Sequence, residues 1–361
     1  MPRSSTQRID SLTETKKTPE PAKNIQEWKD LVRLGLRSLP AFSMWPLGMR
    51  GDYALWKCQR EWQKLVQEAY LGKLAEPEAG RHLCLLAPSE HGKTFSIAIP
   101  FILWALGRNR NLRILLASSK DDLAQNVGFG LDRHFANRSA ALAEFGLQAS
   151  YPWNSDVKFL QRENDNVIHP SVMCVGPESE MQGVRADIII LTDICTFKNS
   201  RTPEAKLKLW DWFCNTLMPR LEPGGFILAE GHHVGMGDFY TSLEALEAEW
   251  CVRKYSAIQE EPCEANGGKA KILAPERWSF GQLDTIRQRK GNTFSLIYQN
   301  QLTEEHGIVG RNLLDRQCDR ARPLLYGITP EIRASYKRIE IGVDPAFTIN
   351  RWSKFSACTI W

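Results

Sequence analysis

Residues 81–97, RHLCLLAPSEHGKTFSI, constrain the fold more than any other stretch of the chain. The apolar run Leu83-Cys84-Leu85-Leu86 predicts a short buried strand. It leads through Ala87-Pro88-Ser89-Glu90-His91-Gly92-Lys93-Thr94 into a second apolar run, residues 95–106, long enough for a helix. Strand, loop and helix in this order, with A-x4-G-K-T in the loop, are the signature of a phosphate-binding loop, with Ala87 where the first glycine usually stands. Each residue type has a physical task. Gly92 lets backbone close on phosphate oxygens, and the free N–H groups of a helix N-terminus point at the anion. Lys93 brings a point charge to the β- and γ-phosphates, and the Thr94 hydroxyl ligates Mg2+. A chance G-K-T at an ordinary helix start would lack the strand before it.

The chain downstream keeps alternating strand and helix. Residues 112–117 predict a second buried strand, followed by a helix with Ser119 as N-cap. Val167-Ile168 and residues 171–175 predict further short strands. In residues 185–193, RADIIILTD, four large apolar residues in a row predict a strand buried on both faces, ending at Asp193. The alternation implies an α/β fold, a mostly parallel sheet flanked by helices. In phosphate-loop ATPases an acid at such a strand end holds Mg2+ and aligns the attacking water. Asp193 is therefore the candidate catalytic carboxylate, paired with Lys93. The usual pair is acid–acid, and Thr192 takes the first place. An Asp that only caps a loop is the competing assignment, and the phosphate loop upstream decides for function.

Other segments are read from periodicity. Residues 1–24 are polar and aperiodic, the composition of a flexible arm. Residues 24–39 and 52–71 have helical spacing, with a Pro- and Gly-containing connection over 40–51. Gln59, beside aromatics, has the chemistry to hold an adenine, although periodicity alone favours a surface glutamine. Residues 206–217 predict a helix, 222–225 a turn, and 226–229 a strand leading into Gly231-His232-His233. Adjacent histidines on an extended chain point opposite ways and no third ligand is suitably spaced, so these do not predict a metal site. A polar loop at the C-terminal end of a strand is instead where such folds place ligand-sensing groups. Residues 250–335 lose the alternation and read as a lid, with a helix over 279–290 capped by Ser279. Residues 337–343 and 356–361 predict a hairpin, which cannot bury a core alone and implies a further domain.

The charge balance, 46 basic against 42 acidic residues for a net +4, permits a nucleic-acid partner without arguing for one. The 9 cysteines form no C-x2-C pair, so neither a zinc site nor a disulfide framework is expected, which fits a reducing compartment. No apolar run reaches the ~18 residues of a membrane span, and MPRSSTQRID lacks the apolar core of a signal peptide.

Taken together, the ordered motifs over residues 50–361 resemble the large terminase subunit of tailed bacteriophages. Cys58-Gln59-Arg60-Glu61-Trp62 resembles the family's adenine-side segment, and Ala87 to Thr94 its A-P-P-R-H-G-K-[ST] loop. Ala117-Ser118-Ser119 with Leu123-Ala124 resembles its A-S-x-x-x-x-L-A block. Gln182 to Asp187 and the strand to Asp193 are similar to its G-x-x-A-D segment and D-D-P strand end. Gly231-His232-His233 sits where the family has its coupling segment, with His232 in place of Thr. Ala274-Pro275-Glu276-Arg277-Trp278, Phe294 and Tyr298-Gln299-Asn300 resemble its lid segments. Ile341-Gly342-Val343-Asp344-Pro345 resembles the opening strand of its RNase H-like nuclease, whose first metal-binding Asp would be Asp344. Glu90 departs from the family's loop Arg, and Thr192 from its first strand-end acid.

The resemblance implies a phosphate-loop ATPase core over 25–250, a lid over 251–335 and the start of a nuclease over 336–361, with no cleavage expected from Asp344 alone. It implies ATP and Mg2+ as cofactors, held by Gln59, residues 87–94 and Asp193, with Gly231, His232 and His233 coupling hydrolysis to movement. Arg185 is a candidate arginine finger by its nearness in sequence to the acidic strand. The implied function is ATP-driven translocation of viral double-stranded DNA into a procapsid. The implied partners are a portal ring, a small terminase subunit and further copies in a ring, in the host cytoplasm and on the procapsid, away from membranes. A helicase-like nucleic-acid ATPase is the nearest alternative among enzymes. A hydrolysis-deficient module that binds DNA or portal is the alternative from another class, motivated by Glu90 and Thr192.

Overall fold

The computed structural model describes residues 25–74, 80–164, 166–179, 181–302, 341–344 and 357–360, in two separate units divided after Thr303. The arm expected over 1–24 lies outside the described residues. The first helices are α1 (Ile25–Arg37) and α2 (Leu39–Met44). The connection expected from residue 40 is in fact helical: Ser38 accepts from the Ala41 N–H as N-cap, and Pro40 sits in the first turn, where a missing N–H costs nothing. Helix α3 (Lys57–Tyr70) precedes β1 (His82–Leu86). The helix expected over 95–106 is two, α4 (Lys93–Ser96) and α5 (Ala98–Arg108), broken at Ile97. Pro100 explains the break, because its ring clashes with the carbonyl four residues earlier.

Strand β2 (Ile114–Ala117) follows, then α6 (Asp121–Ala143), whose N-cap is Lys120 without a side-chain bond rather than Ser119. The hairpin β3 (Ala149–Trp153) and β4 (Val157–Leu160) had no predicted counterpart. Then come β5 (Val172–Val175), β6 (Ala186–Thr192), α7 (Pro203–Trp212), β7 (Leu221–Gly231), α8 (Phe239–Glu244) and β8 (Trp250–Lys254). Val167-Ile168 is not a strand. The turn expected over 222–225 is an irregularity within β7, where its register with β6 slips between Ala186 and Ile188. Strand β8 extends the sheet past residue 250, where the sequence pattern predicts that the alternation ends.

The sheet has 8 strands in the order β3-β4-β5-β2-β6-β7-β1-β8. Pairing is parallel from β5 through β8, and β3 and β4 add an antiparallel edge. Side chains alternate across the strands, so each apolar run feeds both faces. Leu83, Leu85, Ile188 and Ile190 pack in one core with Trp62, Phe101 and Trp104. Cys84, Leu86, Ile189 and Leu191 pack in the other with Phe213, Phe239 and Tyr240. Cys58, Cys84, Cys174 and Cys195 are buried in no disulfide and serve as small apolar groups.

Beyond β8 a small unit forms around Ile258, Leu283, Phe294, Leu296 and Tyr298. It holds the antiparallel pair β9 (Ile258–Glu260) and β10 (Lys271–Ile272), then α9 (Phe280–Lys290), capped by Ser279 as expected, and α10 (Asn292–Ile297). In the second unit β11 (Ile341–Asp344) and β12 (Ala357–Ile360) pair antiparallel, the hairpin expected there. The Asp344 side chain lies outside the described residues. Among the described residues no helix is long and apolar enough to cross a membrane.

Candidate nucleotide site

The sheet order puts the tips of β6, β7 and β1 side by side, and the candidate site is built on them. Register pairs Thr192 with Glu230, and Leu86 with Gly231. The phosphate loop leaves the tip of β1. Its first residue, Ala87, donates its N–H to the Gly231 carbonyl at 2.9 Å. Gly231 is required here, because a Cβ would stand 1.9 Å from the Tyr240 hydroxyl. At the other end of the loop Gly92 adopts φ +71 as the N-cap of α4, and a Cβ there would meet Gln59 at 2.9 Å. The loop therefore turns tightly and leaves its helix N-terminus facing outward.

Gln59 lies under this loop, 5% exposed. Its Nε2 donates to the His91 carbonyl at 3.0 Å and its Oε1 accepts the Trp56 N–H at 3.1 Å. Both ends of the amide are engaged, so Gln59 buttresses the loop from α3. His91 donates from Nδ1 to the Ser89 carbonyl at 2.7 Å, and burial pushes its pKa down to about 4. Glu90, at φ +59, is exposed, and after burial its carboxylate is what pushes up the pKa of the Tyr298 hydroxyl in the small unit. Ser89 also donates its N–H to the Ile297 carbonyl at 2.8 Å.

The charged centre is compact. Lys93 Nζ is 4.0 Å from Asp193 Oδ1 and 3.3 Å from the Pro88 carbonyl. Asp193 takes φ +43, and its N–H donates to the Glu230 carbonyl at 3.0 Å. Its side chain is 45% exposed, open to an incoming ligand. Thr192 donates its hydroxyl to Glu230 Oε1 at 2.8 Å, so Thr94, 3.3 Å from Thr192 Oγ1, is the donor of that pair. Glu230 is fully buried, and burial, then the Asp193 charge, raise its pKa to about 7 against the Thr192 bond, which lowers it. His232 Nδ1 stands 3.7 Å from Asp193, beyond a hydrogen bond, with its pKa lowered by burial and then by Lys93.

His233 points elsewhere, as adjacent extended residues must. Its Nδ1 faces both Asp238 oxygens at 3.2 Å and its Nε2 meets Glu244 at 3.0 Å. Burial alone would lower its pKa; the two carboxylates overcome that and raise it to about 9. Its N–H donates to Asn300 Oδ1 at 3.0 Å, joining the loop after β7 to the segment after α10. Arg185 precedes β6 and donates to the Pro219 carbonyl. At ~3.3 Å per strand residue it lies on the order of 25 Å from Asp193, so within one chain it does not reach the site.

Among the described residues no three His, Cys, Asp or Glu gather as a metal cage. The donors that do converge suit Mg2+, which takes few protein oxygens and keeps waters and phosphates. They are the hydroxyls of Thr94 and Thr192 and the carboxylates of Asp193 and Glu230, with Glu230 Oε2 buried and unpartnered. Periodicity ends the strand at Ala229 and assigns Glu230 no role. Its signal was present in FILAE, an apolar run ending in an acid like the one at Asp193. Only the strand order makes the two tips neighbours.

A parallel sheet with a G-K-T loop between β1 and a helix, and an acid at the tip of β6, defines the phosphate-loop NTPase class. Within it, the chain is similar to phage large terminase subunits. Residues 84–207 match the family model "Terminase large subunit, T4likevirus-type, N-terminal". Over 130 residues, 33% of this chain and 20% of the relative, it is 32% identical to the large terminase subunit of Enterobacteria phage T3. The large terminase of the HK97 bacteriophage is similar at TM-score 0.47 and 13% identity, over 68% of this chain and 50% of that one. A large terminase from a thermophilic bacteriophage follows at TM-score 0.44 and 13% identity, over 70% of this chain and 55% of the other.

Proposed function

We propose that this chain is the ATP-hydrolysing motor part of a large terminase, translocating viral double-stranded DNA into a procapsid. The observation that carries the reading is the meeting at 4.0 Å of Lys93, at the start of α4 beyond β1, and Asp193, at the tip of β6, two strands that flank β7 in the sheet. The backbone of Ala87, Pro88, Ser89, Glu90, His91 and Gly92 and the start of α4 hold the phosphates, with Gln59 fixing the loop from beneath. Lys93 turns from Asp193 and Pro88 to the β- and γ-phosphates. Bound Mg2+ neutralises phosphate charge, and Thr94 and Asp193 would hold it. Asp193 orients the attacking water. Gly231, His232 and His233 pass the change at the phosphates to the small unit, the lid, through Asn300.

On this reading DNA, a portal ring, a small terminase subunit and a ring of like chains are the partners, with the host cytoplasm and the procapsid as the place of action. Asp344 is proposed as the first metal carboxylate of a nuclease. ATP turnover measured with and without double-stranded DNA tests the motor. DNA should stimulate it, with a steep loss on adding salt, since phosphate contacts release counterions. Equal, negligible turnover by wild type and Lys93→Ala would favour the binding module that Thr192 and Glu90 suggest.

A further inference from the structure

We propose that Glu230 is the second carboxylate of the nucleotide site, supplied from β7 in place of the acid that β6 lacks at Thr192. This rests on the ATP-site reading above and deepens it. Thr192 and Glu230 are register partners on neighbouring parallel strands, so their side chains leave the sheet on one face. Oε1 of Glu230 accepts the Thr192 hydroxyl at 2.8 Å, and Thr94, the metal-binding hydroxyl of the loop, is 3.3 Å from Thr192. The carboxylate thus stands one hydroxyl, that of Thr192, away from the hydroxyl expected to bind the metal.

Glu230 is 0% exposed, yet its Oε2 has no hydrogen-bond partner. A buried acid held only to brace two strand tips would have both oxygens satisfied, or be an amide or an apolar residue. An unpartnered carboxylate oxygen beside Thr94 and Asp193 is explained by a partner that arrives with the nucleotide. A metal-bound water is the fitting donor, since Mg2+ keeps several of its waters. Thr192 then serves as the spacer that orients the displaced acid. With Asp193 at the tip of β6, Glu230 brings the carboxylates of the site to 2.

The test is the magnesium dependence of nucleotide affinity, read by fluorescence with a mant-labelled ADP in excess Mg2+ and in EDTA. Wild type should bind more tightly with Mg2+. Glu230→Gln, which keeps shape and loses charge, should cut that gain at least about 10-fold, the scale on which groups behind metal ligands act. Thr192→Asp added to Glu230→Gln should restore it by returning the acid to β6, a rescue that no bracing role produces. An undiminished gain in folded Glu230→Gln overturns the inference and leaves the nucleotide site standing. If Glu230→Gln does not fold, the shorter acid in Glu230→Asp carries the test: Mn2+ affinity of the ADP complex by electron paramagnetic resonance should fall, and an unchanged value overturns the inference. No binding by wild type in either condition overturns the ATP-site reading as well.

Discussion

Gln59 reaches from α3 to the His91 carbonyl, 3.0 Å away, and so ties the floor of the phosphate loop to the helix that precedes it in the chain. The same amide accepts the Trp56 N–H, so one side chain caps a helix and fixes a loop. Gln59→Ala should strand the His91 carbonyl and the Trp56 N–H and destabilise the protein by roughly 1–3 kcal/mol. Thermal unfolding measures this. Gly92→Ala meets the same amide at 2.9 Å and also strains a φ of +71. It should lower nucleotide affinity more than Gln59→Ala does, because it distorts the backbone that faces the phosphates.

Lys93 is 6% exposed and lies between Asp193 and the Pro88 carbonyl. Removing one donor that meets transition-state charge typically costs 10^2–10^3 in rate, so Lys93→Ala should lower ATP turnover by roughly that factor. Its melting temperature should change little, since the lost Coulomb contact spans 4.0 Å to a carboxylate that is 45% exposed. A turnover assay beside a melting curve separates the two effects. A large drop in stability with normal turnover would make Lys93 a structural residue.

Much of this site was legible in the sequence, and what was not has definite causes. The apolar runs of β1 and β6 are buried on both faces, so hydrophobicity alone marked them and their tips at Ala87 and Asp193. Ser279 was legible as a cap because its hydroxyl bonds within its own turn, to the Gln282 N–H. The break at Ile97 was missed because the run stays apolar through it, and Pro100 acts one turn back. Strands β3 and β4 at the sheet edge carry Ser150, Pro152 and Lys158, which dilute their pattern. Glu230 was missed for a different reason: its neighbour Thr192 is 38 residues away, and only sheet topology joins them.

His233 is an imidazolium clamp at the foot of the same loop, faced by Asp238 and Glu244, with Lys254 on the far side of Glu244. Its folded pKa, about 9, lies above its ordinary 6.5. The clamp's stabilisation is therefore complete below about pH 6.5 and is lost as pH rises through about 9. Asp238 and Glu244 are shifted down, so at the acid end the clamp weakens only as those carboxylates protonate. Stability differences between wild type and His233→Asn, followed from pH 6 to 10, should narrow with rising pH by on the order of 3 kcal/mol. A difference flat across that range would mean that His233 is neutral in the fold.

Glu90 occupies the turn of the phosphate loop at φ +59, with its carboxylate close enough to the Tyr298 hydroxyl to push that hydroxyl's pKa up. Two consequences oppose each other. The contact fastens the loop to the small unit and favours a single loop conformation. The negative charge stands beside a site that receives phosphates, and ATP carries one more charge there than ADP. Glu90→Gln keeps an acceptor for Tyr298 and removes the charge. At effective dielectric constants near 20, a unit charge within about 8–10 Å acts with roughly 1–2 kcal/mol before salt screening. The variant should therefore raise the preference for ATP over ADP several-fold at low salt, with the gain shrinking as salt is added. Tyr298→Phe, which removes the fastening and leaves the charge, should leave that preference near wild type while speeding amide exchange across residues 294–300. Titrating both nucleotides against the two variants decides between these roles; if Glu90→Gln changes ATP and ADP affinity equally, the carboxylate acts through the loop's conformation and not through its charge.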